Sequence, residues 1–274
     1  MEVMETLPRT AWEPITPRGV AAFARAKVGR LLIMQFLVAL LVAAAVVWFL
    51  YDGCFPTIRE AIRQMPGEGE IRSGQLDWHG DSPRLLAEGR FLAFSVDLDR
   101  AGDIRSPAHL QVEFGRDGIL FRSLFGYLET RYPNGWVIAF NRTELQPWLG
   151  AWRPWLLTIA AAGVIVYFML SWAALATLYA VPAWLIAFYA NRDLNFCASW
   201  KLSGAVLMPG ALLMGGAILF YDLAVLDLVH MMFVFGAHLL VGWVYLIVSP
   251  WFLTPDCSGP AGKKNPFAPP PSTS

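Results

Sequence analysis

Charge is scarce in this sequence, and cysteine scarcer. Charged residues make up 15% of the 274 and hydrophobic residues 56%, outside the usual balance of a water-soluble domain. Lys plus Arg and Asp plus Glu each number 21, so the formal net charge is zero. With no basic stripe beyond a short N-terminal arm, nucleic acid is set aside as a partner. The three cysteines, Cys54, Cys197 and Cys257, stand far apart with no C-x-x-C spacing, which argues against a disulfide framework or a zinc site. No nucleophile elbow, H-E-x-x-H or phosphate loop occurs. The reading is therefore of a non-enzyme with no catalytic residue, no cofactor and no metal site.

What the sequence has instead is long apolar runs, at 31–51, 155–190 and 202–253. A hydrocarbon core of roughly 30 Å takes about 20 helical residues to cross, so these runs predict an integral membrane protein in contact with the lipid bilayer. The last run would extend about 76 Å as one helix and must fold back near its middle. That middle is "YDLAVLDLVH", which holds Asp222, Asp227 and His230. A bend there puts both carboxylates near the headgroups rather than among acyl chains. The run 155–190 is too long for one crossing yet lacks a polar loop, so a kink or break is expected near Pro182, followed by an interfacial segment. The expected spans are 31–53, 154–180, 203–221 and 228–252, the last three forming a bundle over 154–253. The first reads as an uncleaved anchor, because its exit "FLYDGC" offers no small-x-small cleavage site.

Arg9, Arg18, Arg25, Lys27 and Arg30 crowd the N-terminal arm, 1–30, and with four spans Arg192, Lys201, Lys263 and Lys264 fall on the same side. The positive-inside rule makes that side cytoplasmic, so the expected location is the cell (inner) membrane with both termini inside. Thr16 followed by Pro17 predicts a helix start ahead of the first span. Trp48, Tyr51, Trp148, Trp152, Trp155 and Trp251 fall where an aromatic belt belongs. The tail, 254–274, ending "NPFAPPPSTS", reads as disordered.

The block 54–150 is then extracytoplasmic, and it reads as β-rich with one short amphipathic helix, "PTIREAIRQM". "FSVDLD" and "LQVEF" alternate apolar with polar residues, the period of a half-buried strand. "GRDG" before "ILFR" predicts a hairpin over 110–122. "IRSGQLDW" and "GWVIAF" are further expected strands. The fold class is thus a four-helix integral membrane protein carrying a small α+β domain between its first two spans.

The order of parts resembles a bacterial multi-pass membrane family catalogued as a domain of unknown function, number eleven-eighty-nine. The resemblance covers about residues 30–253. It rests on "REAIRQMPGEGEIRSGQLDW" with its I-x-x-G-x-L core (Ile71, Gly74, Leu76), on "FLAFSVDLDRAGD", and on "SWKLSGAVLMPGALL" with Pro209. What it implies is a fold plan and a membrane location, since that family has no established activity. The tail and the tryptophan-rich exit from the soluble block depart from the family pattern.

Few residues offer chemistry. His238 is expected near mid-bilayer, hydrogen-bonded to a neighbouring helix. His230 stands about 12 Å from it along the axis, too far to share a metal, and pairs more naturally with Asp227. In "DWHGD", Asp77, His79 and Asp81 alternate and would share one face of a strand. Gly204, Gly210, Gly215, Gly216, Gly236 and Gly242 suit close helix packing, some of it between copies in a homo-oligomer. The leading functional reading is a scaffold, sensor or partner-binding protein acting through its extracytoplasmic domain on a membrane or envelope protein. The alternative is a solute transporter or an accessory subunit of one.

Overall fold

The computed structural model describes residues 12–102 and 104–254; the expected disordered tail beyond Thr254, with Cys257, Lys263 and Lys264, and Arg9 of the N-terminal arm lie outside them. Seven α-helices are described: α1 (Pro17–Ala22), α2 (Val28–Phe49), α3 (Phe55–Gln64), α4 (Arg142–Tyr189), α5 (Phe196–Ala205), α6 (Leu207–Asp222) and α7 (Leu228–Val248). Eight strands lie between α3 and α4. The chain divides into two compact units, one of Met1–Ala45 with Ala161–Ser274 and one of Val46–Ala160. Among the described residues four helical segments, Val28–Gln64, Arg142–Tyr189, Phe196–Asp222 and Leu228–Phe252, are long and apolar enough to cross a membrane.

The first unit is helical. Thr16 caps α1, its hydroxyl accepting from the Gly19 amide at 3.0 Å, with Pro17 in the first turn. Val20, Phe23, Leu31, Leu202, Met208 and Leu246 are fully buried in a common core. On α4, Ala176, Ala180, Ala183 and Ala187 repeat at helical spacing and are all buried; side chains this small let neighbouring helices approach closely. The outward surface is apolar too. Val166 and Leu170 of α4 and Phe233, Leu240 and Val244 of α7 are exposed, which is compatible with hydrocarbon as their solvent.

Polar contacts tie the ends of these helices together. Lys201 Nζ donates to the Ala26 carbonyl and Arg192 Nη1 to the Leu253 carbonyl, each at 2.8 Å. Arg25 reaches the Thr254 hydroxyl. The starts of α2 and α5 therefore meet the ends of α4 and of the final 3₁₀ turn (Ser249–Phe252) at one cation-rich end of the unit.

The second unit holds two sheets. β1 (Gly69–Arg72) and β2 (Gln75–Trp78) form a hairpin, with β8 (Val137–Ala139) antiparallel to β1. The larger sheet has the order β3 (Arg84–Glu88), β4 (Leu92–Val96), β5 (Leu110–Phe114), β6 (Gly118–Ser123), β7 (Gly126–Arg131), and only β4 and β5 pair in parallel. Val112 and Phe114 point from β5 into a core with Phe55, Ile62, Ile71, Trp78 and Phe140. Gln111 and Glu113 point the other way yet are also buried, because the crossover from β4 to β5 folds over them. Gln111 holds that crossover, donating to the Ile104 carbonyl and accepting from the Ser106 amide, both at 3.1 Å.

Several expectations are corrected. No break occurs at Pro182: α4 is one helix of 48 residues, about 72 Å long. The buried alanine face on both sides of Pro182 holds the helix together despite the lost N–H at that position. α4 also begins at Arg142, so residues 142–150 are helical rather than part of the sheet region. The third apolar segment starts at Phe196, and the interruption falls at Val206 between α5 and α6; three residues later comes Pro209, whose ring opposes the carbonyl four residues back. "IRSGQLDW" is two strands, since Ser73 and Gly74 both take left-handed φ values, 50° and 77°, as a tight hairpin turn demands. The strand in "FSVDLD" stops at Val96 because the Asp97 carboxylate accepts from the Ala101 and Gly102 amides at 3.2 and 2.9 Å, a local alternative to the ladder. Among the expected packing glycines, Gly216 and Gly236 face open space.

Gly210 is the tightest of the others, for a Cβ there would lie 2.7 Å from the His238 carbonyl oxygen. Gly210→Val is expected to cost about 1–3 kcal/mol by overpacking. Gly216→Ala, with nothing within 4 Å, should be neutral or gain up to about 1 kcal/mol from helix propensity. Thermal unfolding of the detergent-solubilised variants checks the contrast.

Candidate functional site

The acidic turn comes first. α6 ends at Asp222, which is half-buried, and α7 begins after Asp227, which is exposed. The Asp227 carboxylate accepts from the His230 amide at 2.8 Å and meets His230 Nδ1 at 2.9 Å. It is a helix N-cap with a histidine on the next turn. Those hydrogen bonds, the backbone one foremost, hold its carboxyl below the usual carboxylate range.

His238 lies about two turns beyond His230 along α7 and is not joined to these groups. Its Nδ1 meets the Phe235 carbonyl and its ring lies 5.0 Å from that of Phe235. The expected bond to a neighbouring helix is thus replaced by one within α7. The carbonyl of the preceding turn lies within reach of Nδ1 without any second helix. What His238 does present to α6 is its backbone oxygen, against Gly210.

In the β unit, Asp77 and His79 are neighbours, Oδ1 to Nε2 3.9 Å, and both are exposed. They border a shallow groove of about 370 Å³ together with Glu70 and Glu144. Asp81 is not with them, because β2 ends at Trp78 and the indole N–H donates to the Asp81 carbonyl at 3.1 Å, turning the chain. Glu70 is engaged by Arg72 at 2.6 Å. Among the described residues no three His, Cys, Asp or Glu side chains are placed to hold a metal ion.

The most distinctive surface was not singled out by the sequence. β7 is the edge of the larger sheet, and all six of its residues are exposed. By register, Leu128 lies opposite Phe121 on the core-facing side and Tyr127 opposite Arg122 on the other. Both nonetheless remain bare, 65% and 79% exposed. The turn before them adds Leu124 and Phe125, at 69% and 73%. A strand uncovered on both faces, with one backbone edge unpaired, is what strand addition by another chain requires.

This edge is rigidly held from behind. Arg122 grips Glu113 through Nε–Oε2 at 3.2 Å and Nη2–Oε1 at 3.3 Å, and the Glu113 side chain is only 1% exposed. Arg100 from the crossover pairs with Glu129 of β7 at 2.7 Å. Directly after β7, Tyr132 is buried and donates to the Gly115 carbonyl at 3.1 Å; burial pushes its phenol well above the usual range. The sequence signal for the edge is "LFGYL", four large apolar residues around a glycine at a hairpin tip, where solvent-facing turns are ordinarily polar.

Comparison with family models, curated proteins and solved structures finds no match.

Two outcomes follow. The Asp227 pKa is lowered in the folded state, so the cap contributes fully above the ordinary carboxylate range and is lost as pH falls through the lowered value. The amide resonance of His230 should titrate with a midpoint below that range, and in Asp227→Asn this titration should vanish. Arg122→Ala leaves the Glu113 carboxylate buried without its cation and should cost about 2–3 kcal/mol, less than a fully buried pair because Arg122 keeps partial exposure. Replacing both partners by apolar residues should recover part of that loss in thermal unfolding.

Proposed function

We propose that this is a multi-pass inner-membrane protein whose β unit lies on the extracytoplasmic side and binds an extended segment of a membrane or envelope protein along β7. The bareness of β7 on both faces carries this reading. Main-chain pairing along the edge supplies affinity, and Phe125, Tyr127 and Leu128 supply the apolar contacts that choose the partner. The role is non-enzymatic, and membership of the family whose order of parts the chain resembles belongs to the same proposal.

Sidedness is supported by the sorting of charge in the helical unit. Arg25, Arg192 and Lys201 gather with Asp193 where helix ends meet, an excess of cations, whereas Asp222 and Asp227 lie at the α6–α7 turn. With the cations cytoplasmic, a chain that starts α2 on that side delivers residues 55–141 across the bilayer. The transport alternative has less support. Buried polar side chains in the helical unit are few among the described residues, Gln35, Ser199, Ser203 and Ser249, and Gln35 already donates to the Gly204 carbonyl at 3.1 Å.

A membrane-impermeant maleimide added to intact cells should label Cys54 and not Cys197; the reverse pattern would invert the topology. A photo-crosslinker at Tyr127 in native membranes should give one discrete protein adduct, absent when it sits at Glu144 and lost in Leu128→Asp. An adduct of twice the chain's own mass would assign the edge to a second copy, and adducts to lipid alone would remove the partner reading.

A further inference from the structure

A second feature of the β unit is built from elements other than β7. Where α3 lies beside the first turns of α4, Arg59, Ile62, Gln146, Leu149, Gly150 and Arg153 line a cleft of about 260 Å³. The spacing explains the convergence. Arg59 and Ile62 are one turn apart on α3, and Gln146, Leu149, Gly150 and Arg153 follow the i, i+3, i+4, i+7 rule of one helix face. Ile62 and Leu149 are buried and make an apolar floor. At Gly150 no atom lies within 4 Å of where a Cβ would stand, so the space above it is open.

The rim is cationic. Among the described residues no carboxylate lies within ion-pair distance of Arg59 or Arg153. Glu60, the acid nearest in sequence to Arg59, is occupied with Arg63 and Gln64. Arg153 is steadied by a different contact, its guanidinium lying 5.4 Å from the centre of the Tyr51 ring, which fixes direction without neutralising charge. Two guanidinium forks and an amide donor around an apolar floor suit an anion that carries an apolar body.

The position along α4 narrows the anion further. Arg153 stands two residues before the apolar run that begins at Trp155. Trp148 and Trp152 stack at 6.1 Å on the same stretch, and all three tryptophans are exposed. Exposed tryptophans immediately before an apolar helix mark the headgroup level of a bilayer. We propose that this cleft binds the phosphodiester headgroup of an anionic phospholipid, with Arg59, Arg153 and Gln146 on the phosphate and Ile62 and Leu149 against the glycerol and first acyl carbons. The proposal rests on the membrane reading of the helices and is independent of what binds β7.

The test uses the full chain in bilayer nanodiscs and reads quenching of tryptophan fluorescence by brominated lipids. Brominated phosphatidylglycerol should quench at concentrations on the order of tenfold lower than brominated phosphatidylcholine, the preference expected from two cation contacts near a membrane surface. The double variant Arg59→Gln/Arg153→Gln should lose that preference. Gly150→Leu, which fills the cleft without touching its charge, should lose it too, while Arg63→Gln keeps it. Equal quenching by both lipids in the wild type, or an unchanged preference in both cleft variants, overturns the proposal. Full competition by millimolar inorganic phosphate would assign the cleft to a soluble anion and overturn the lipid source. Failure of the chain to enter nanodiscs at all would instead refute the membrane reading, and is seen before any lipid is compared.

Discussion

A helix that ends among apolar side chains leaves carbonyls and amides without water to meet them, and several of the interruptions in the helical unit answer that constraint with a side chain. Lys201 lends its ammonium to the Ala26 carbonyl where the chain breaks between a short 3₁₀ turn, Phe23–Arg25, and α2. Arg192 does the same for Leu253 after the final 3₁₀ turn, and Asn195 and Asp227 cap the starts of α5 and α7 with their own side chains. The charged residues of this unit are therefore few because they are confined to helix ends. That confinement gathers Arg25, Arg192 and Lys201 around Asp193 at one end and leaves Asp222 and Asp227 at the α6–α7 turn, and the cation excess at the first is what supports its sidedness.

The β unit solves a different difficulty. About a hundred residues supply a modest core, and the larger sheet is wider than that core. Its central strand β5 is covered on one face by apolar side chains and on the other by a polar set, Ser95, Gln111 and Glu113, closed over by the crossover. Buried polar groups of this kind are costly unless paired; the Gln111 amide bonds Ser95 and the crossover, and Glu113 accepts from Arg122 Nη2, although Arg122 Nε has only its ion-pair contact. By β7 nothing remains to cover either face. The edge is at once firmly positioned by Arg100 and Arg122 and left bare, as a docking strand needs to be.

Much of this was legible from residue order. The alternation in "LQVEF" and the turn chemistry of "GRDG" correspond to β5 and β6, and Thr16-Pro17 to the start of α1. Where local and distant forces disagreed, the sequence misled. Pro182 carries a strong breaking signal, but its neighbours on α4 are alanines packed into a common core, and that burial outweighs one lost hydrogen bond. His238 was expected to reach across to another helix because a polar side chain in hydrocarbon must find a partner; the Phe235 carbonyl, one turn away, meets that need first.

By itself the sequence determined the positions and lengths of the apolar runs, the fold-back at Asp222 to Asp227 and the β character of the segment between the first two runs. Each follows from solvation and from periodicities of a few residues, which are properties of contiguous chain. The tertiary structure alone decided that β7 is an uncovered edge, that Asp81 parts from Asp77 and His79, and that Arg59 and Arg153, 94 positions apart in the chain, face one cleft. These depend on strand order, on a turn held by an indole, and on which face of one helix meets another, relations set by long-range packing that no local pattern encodes.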